Sequence, residues 1–151
     1  MTNWPDKTIP ACRKIRHKQE AVAAMIRICL DEGVEGQNFA LISDLAPIAH
    51  RRCMEIMALC REILSHIPEG RRGRYPKWIT TTMDISALAD LISRHCEAIN
   101  QARRQNLYIT VARHLEQASR EAEAIKANLD ALPCDDIEIP HVFKEAFADD
   151  D

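Results

Sequence analysis

Residues 84–132 read DISALADLISRHCEAINQARRQNLYITVARHLEQASREAEAIKANLDAL, and the fold of the whole chain turns on them. The stretch holds no glycine and no proline. Ile85, Leu88, Ile92, His95, Ile99, Ala102 and Asn106 recur at alternating steps of three and four. After a shift of phase the pattern resumes as Leu107, Val111, Leu115, Ala118, Ala122, Ile125, Leu129 and Leu132. Such a seam is a helix face that has to be buried. As one helix it would run about 70 Å at the usual rise, far beyond an average globular helix. The phase changes at Arg103–Tyr108, and Tyr108-Ile109-Thr110-Val111 is aromatic and β-branched, which disfavours helix. The spacing predicts a break or kink there, and the alternative is one rod that needs a long partner.

The rest of the chain follows the same pattern. Cys12, Ile15, Val22, Met25, Ile26, Cys29 and Leu30 share a face of a first helix, opening near Lys7–Pro10 and ending at Gly33 and Gly36, with Gly33 in the place of a C-terminal cap. Leu45, Ala49, Cys53, Ile56, Cys60, Ile63 and Ile67 mark a second helix, stopped by Pro68-Glu69-Gly70. Pro47 either opens this helix or kinks it. Between Pro68 and Met83 the glycines and Pro76 predict an irregular segment, with Thr80-Thr81-Thr82 extended and Thr82 or Asp84 capping the next helix.

Composition agrees with helices packing on helices. Aromatics are only 5% of the chain and glycines four, against many Ala, Leu, Ile, Glu and Arg, which argues against a sheet. The expected fold is an all-α antiparallel bundle of about four main helices, 8–32, 39–67, 84–104 and 107–132. It carries one long basic inter-helix loop and a short acidic C-terminal tail. Residues 1–133 form the bundle and residues 134–151 the tail, where Val142, Phe143, Ala146 and Phe147 would share one face of a short docking helix. No apolar run follows a basic N-terminus, and none approaches the length of a membrane span, so a cytoplasmic location is expected. The six cysteines sit inside helical stripes and read as reduced thiols acting as small hydrophobes.

Two places could carry function. Arg71, Arg72, Arg74, Tyr75, Lys77 and Trp78 interleave positive charge with aromatic rings, a combination that neutralises phosphates and stacks on bases of RNA or single-stranded DNA. The same residue types anchor protein interfaces, and the bland alternative is a loop folded back with Tyr75 and Trp78 buried. The formal charge of −3 is too small to imply a polyanionic partner for the whole molecule. His50 and Cys53 share a helix face, but no CxxC pair or Glu-x-x-His spacing completes a metal site, so neither metal nor cofactor is expected. Sequence signatures of nucleophilic and nucleotide-binding sites are missing as well.

Arg61-Glu62-Ile63-Leu64-Ser65-His66 is similar to the Arg-x4-His motif of HEPN domains. The resemblance implies a helical, metal-independent ribonuclease in which Arg61 and His66 of two protomers meet around the scissile phosphate. The primary expectation is a non-enzymatic interaction or assembly module. It would bind a protein partner or itself through helical seams, as a homodimer, and touch nucleic acid through residues 71–78. A HEPN-like ribonuclease is the alternative.

Overall fold

The computed structural model describes residues 4–67 and 76–132, with side chains from residue 8 to 67 and from 77 to 132. Four helices follow one another: α1 (Trp4–Ile28), continued by a π-helical stretch (Cys29–Glu35), α2 (Phe39–His66), α3 (Pro76–Arg104) and α4 (Tyr108–Asp130). Each packs on its neighbour in sequence, and α1 closes against α4, so the helices form an antiparallel four-helix bundle. Among the described residues there is no strand.

The seams meet in one core. Ile42, Ala46, Ala49, Cys53, Ile56, Cys60 and Ile63 are the buried residues of α2, at steps of three and four. They face Ile85, Ala89, Ile92, Cys96 and Ile99 of α3, and Val111, Leu115, Ala118, Ala122, Ile125 and Leu129 of α4. Each fully buried Ile or Leu contributes about 1.5–3 kcal/mol relative to exposure, which is what holds helices of middling propensity in place. The α1–α4 contact is tied by polar bonds too. Gln19 Nε2 donates to the Ala122 carbonyl at 3.0 Å inside the core, and Arg16 meets Asp130 at 3.0 Å on the surface.

The long stretch is two helices, as its change of phase predicts. Residues 105–107 make the turn: Asn106 has φ +60°, and the Leu107 N–H returns to the Ala102 carbonyl at 2.9 Å. Asparagine is among the few residues that tolerate this left-handed conformation.

Several boundaries differ from the sequence reading. Helix α3 begins at Pro76, eight residues before Asp84, so neither Thr82 nor Asp84 is a cap and the threonines are helical rather than extended. Proline at the first helical position needs no N–H partner. Tertiary burial overrides the weak propensity of the threonine run: Thr81 and Thr82 are buried, and Thr82 Oγ1 donates to the Trp78 carbonyl one turn back at 2.7 Å. Helix α1 opens at Trp4, which puts Pro10 in its interior, and Pro47 lies inside α2 rather than at its start. Both prolines are on the exposed side.

Gly33 is not a cap either. It lies buried within the π-helical stretch, and a Cβ there would stand 2.6 Å from Ile42 Cγ1. The glycine lets α2 approach this turn closely. The residue with positive φ at the end of the stretch is Gln37, at +57°. The candidate docking helix in the tail lies outside the described residues.

Candidate functional site

The residues singled out from sequence fall in separate places. Arg71, Arg72, Arg74 and Tyr75 lie outside the described residues. Lys77 is exposed in the first turn of α3, whereas Trp78 beside it is only 7% exposed and belongs to the core. In this arrangement the indole has no open face to offer a base. Arg61 is exposed on α2, and His66 is the last residue of that helix, with Nδ1 buried and without a hydrogen-bond partner. Five residues at 3.6 per turn separate the two by about 140° around the helix axis.

A polar constellation that sequence reading missed sits between α3 and α4. His95 stands in the middle of the α3 seam, with one ring nitrogen pointing to each side. Its Nε2 lies 2.8 Å from Glu121 Oε1, and its Nδ1 lies 2.9 Å from His114 Nδ1. Glu121 is 5% exposed, and its second oxygen, Oε2, is buried with no hydrogen-bond partner. Burial, and then the neighbouring His95, lower the pKa of His114. Glu121 in turn reaches Cys53. Burial foremost, then Cys96 and Glu121, push that thiol far above its ordinary value.

A second histidine layer lies between α2 and α3. His50 Nδ1 is 3.1 Å from Ser93 Oγ and 3.2 Å from the Ser93 carbonyl, and His50 Nε2 is 4.0 Å from Glu97. Serine, histidine and glutamate in this order have the residue types of a nucleophilic triad. Ser93, however, is buried in the interface with its hydroxyl also against Met54 Sδ at 3.8 Å, so an attacking substrate has no approach to it.

The described cysteines are inert by environment. Cys29, Cys53, Cys60 and Cys96 are free thiols, and all four are buried, as is Cys12. Burial raises the Cys29 thiol to about 11 and those of Cys60 and Cys96 to about 12, so thiolate is scarce at neutral pH. Among the described residues no three His, Cys, Asp or Glu side chains converge to hold a metal ion. His95 illustrates why, since its nitrogens face Glu121 and His114 on opposite sides of the ring.

Among the described residues, a built surface lies at the end of the bundle where both tight turns meet. Phe39 at the start of α2 stacks on Tyr108 at the start of α4, with ring centroids 4.1 Å apart and planes 22° from parallel. Around them Val34, Gln37, Ile109, Ala112, Arg113 and Glu116 line a groove of about 540 Å³. Ile109 is 73% exposed, and Leu107 and Tyr108 are exposed beside it. Single exposed apolar residues are ordinary, but a contiguous set is not. Sequence held a trace of this patch in Leu107-Tyr108-Ile109, where the seam slips phase and its apolar residues no longer face inward. No helix among the described residues is long and apolar enough to cross a membrane. Comparison of the chain with protein-family models, with curated proteins and with solved structures finds no match.

Proposed function

We propose that the chain is a helical assembly module that pairs with a second copy of itself through the Phe39–Tyr108–Ile109 patch. The observation that carries this reading is the groove itself: a row of exposed apolar side chains beside a concave, partly aromatic wall. A two-fold pairing places the same surface on both subunits and so requires it to complement itself. This surface has both halves of the match. Ile109 projects as a knob next to the groove that an equivalent isoleucine would enter. Arg113 and Glu116, one turn apart on the rim, carry opposite charges, so that two copies related by a two-fold axis set arginine against glutamate twice.

The seams do not supply this surface, because their residues in α3 and α4 are buried within the chain's own bundle. Self-association therefore rests on the turns and not on the long helical faces.

Sedimentation velocity over a hundredfold range of concentration tests the reading. The wild type is expected to pass from monomer to dimer, and Ile109→Asp to stay monomeric while melting at the wild-type temperature. Arg113→Glu alone is expected to weaken the dimer, and Arg113→Glu with Glu116→Arg to restore it. A wild-type monomer at every concentration overturns the reading. A monomer that dimerises once residues 134–151 are removed assigns the groove to the chain's own tail instead.

A further inference from the structure

We propose that the His114–His95–Glu121 chain is an acid-sensitive latch between α3 and α4, which accommodates one added proton and excludes a second. The geometry fixes the count. The 2.8 Å contact between His95 Nε2 and Glu121 Oε1 needs one hydrogen between them, and the 2.9 Å contact between the two Nδ1 atoms needs another. With Glu121 ionised, His95 donates from Nε2 and accepts at Nδ1 from the His114 Nδ1–H. One further proton still fits. It can sit on His114 Nε2, or the shared Nδ1 proton can shift so that His95 becomes the cation and the other nitrogen of His114 holds the hydrogen. Both bonds survive in either case, and the carboxylate offsets the charge. A second added proton on the rings makes both of them imidazolium, and N–H then points at N–H across 2.9 Å; on Glu121 Oε2 it removes the carboxylate charge that offsets the first. The contact between the two N–H groups is repulsive, and moving the two rings apart relieves it, at the expense of the bonds that tie α3 to α4.

Among the described residues, the groups that face the pair supply no other counter-charge. From α2 the group facing Glu121 is the Cys53 thiol, and Cys96 of α3 stands beside that. From α1 comes the neutral amide of Gln19, already given to the Ala122 carbonyl. The charged residues nearest in sequence are engaged elsewhere. Arg94 pairs with Asp90 at 3.1 Å, Glu97 reaches toward His50, Arg113 lines the end groove and Arg120 bonds Gln117 at 3.2 Å.

The sign follows from linkage. His114 is held below its unfolded value by burial and by His95. Between those two values the unfolded chain binds more protons than the folded one, so folding weakens as pH falls below about 6.5 and levels off once the folded chain is forced to take the proton. For one excluded proton the folding constant drops by up to about tenfold per pH unit inside that window. The latch stands whether or not the chain pairs.

Two measurements on the full chain test it. In urea unfolding between pH 7.5 and 4.5, the wild type is expected to show that slope and His114→Asn to flatten it. Asparagine can turn either its N–H or its oxygen toward His95 Nδ1 and so suits both protonation states. By NMR, the His95 and His114 rings of the wild type are expected to respond to pH as one coupled pair, in two steps. Amide exchange along the α3–α4 contact is expected to accelerate with the second step before that of α2. Independent single titrations of the two rings, or an unchanged slope in His114→Asn, overturn the proposal. Should His114→Asn not fold, the wild-type ring titration decides alone.

Discussion

Replacing His95 by leucine should cost far more than replacing Glu121 by leucine, although the two side chains share one hydrogen bond. The asymmetry comes from exposure. The Glu121 side chain is 6% exposed and meets the bond through Oε1 while Oε2 is already unpartnered. His95→Leu strands that carboxylate in the core, and breaking a buried pair in this way costs about 3–5 kcal/mol. Glu121→Leu leaves the opposite orphan, a neutral imidazole whose side chain is 21% exposed. That loss should be about 1 kcal/mol or less, and the added apolar volume offsets part of it. The double variant removes both polar groups and should return to within about 1 kcal/mol of the wild type, since a buried ion pair exchanged for hydrophobes is often neutral. Urea unfolding at pH 7.5 reads all three. With a slope of about 2 kcal/mol per molar urea, His95→Leu should lower the midpoint by about 2 M. An Glu121→Leu variant as damaged as His95→Leu, or a double variant whose loss equals the sum of the singles, would refute the asymmetric burial on which the reasoning depends.

Gly33→Ala should destabilise by about 1–3 kcal/mol, because the new Cβ meets Ile42 Cγ1 at 2.6 Å and Cδ1 at 3.0 Å, and Ile42 is fully buried with a stiff branched side chain. Thermal melts of Gly33→Ala, Ile42→Ala and the pair should show the double variant losing less than the sum of the singles; strict additivity would mean the clash is relieved elsewhere. Trp78→Ala should cost about 3–5 kcal/mol as a core truncation, whereas Arg71, Arg72 and Arg74 changed together to alanine should leave the melting temperature within a degree or two. A nucleic-acid contact through those arginines and Lys77 predicts binding of labelled RNA or single-stranded DNA that weakens with salt, with a smaller salt slope in the triple variant. No binding at low salt removes that contact.

Helix positions were legible in sequence wherever an apolar stripe at helical spacing ran unbroken, and this covers most of the molecule. Ile85 to Leu132 shows the seam, and the slip of phase at Leu107 favours a break over one continuous rod. Boundaries were legible only where the chain's own chemistry decides them. Asn106 could be suspected, since asparagine tolerates positive φ. The start of α3 could not, because Thr80-Thr81-Thr82 resists helix by propensity and enters one only through burial of Trp78 and Thr82 against the rest of the bundle. That information belongs to the tertiary structure. Likewise His95 could be placed in a seam, while nothing singled out Glu121 and His114 on the next helix. Glu121 does lie one step of three beyond Ala118, at the edge of the α4 seam, and His114 lies three beyond Val111. Those spacings could have placed both near the α3 contact, but nothing in one sequence says which side chain of α3 stands opposite.

The two unusual features of this bundle run against the ordinary sorting of residues. A buried carboxylate and two half-buried histidines lie between α3 and α4, while Leu107, Tyr108 and Ile109 are outside, at the turn that joins those same helices. Stability alone favours the reverse at both places, since a leucine layer would pack without desolvating a charge and a polar turn would leave no apolar surface in water. The buried layer makes structural sense if register matters. Only one sliding position of α4 along α3 puts His114 and Glu121, two turns apart, on either side of His95, and any other strands a carboxylate in the core. Register in turn decides where the α3–α4 turn falls, and so whether Tyr108 reaches Phe39 to build the wall of the end groove. The polar layer therefore fixes the shape of the apolar surface, and a variant that frees α4 to slide, such as the double leucine replacement at His95 and Glu121, should keep its stability yet lose the dimer before it loses the fold.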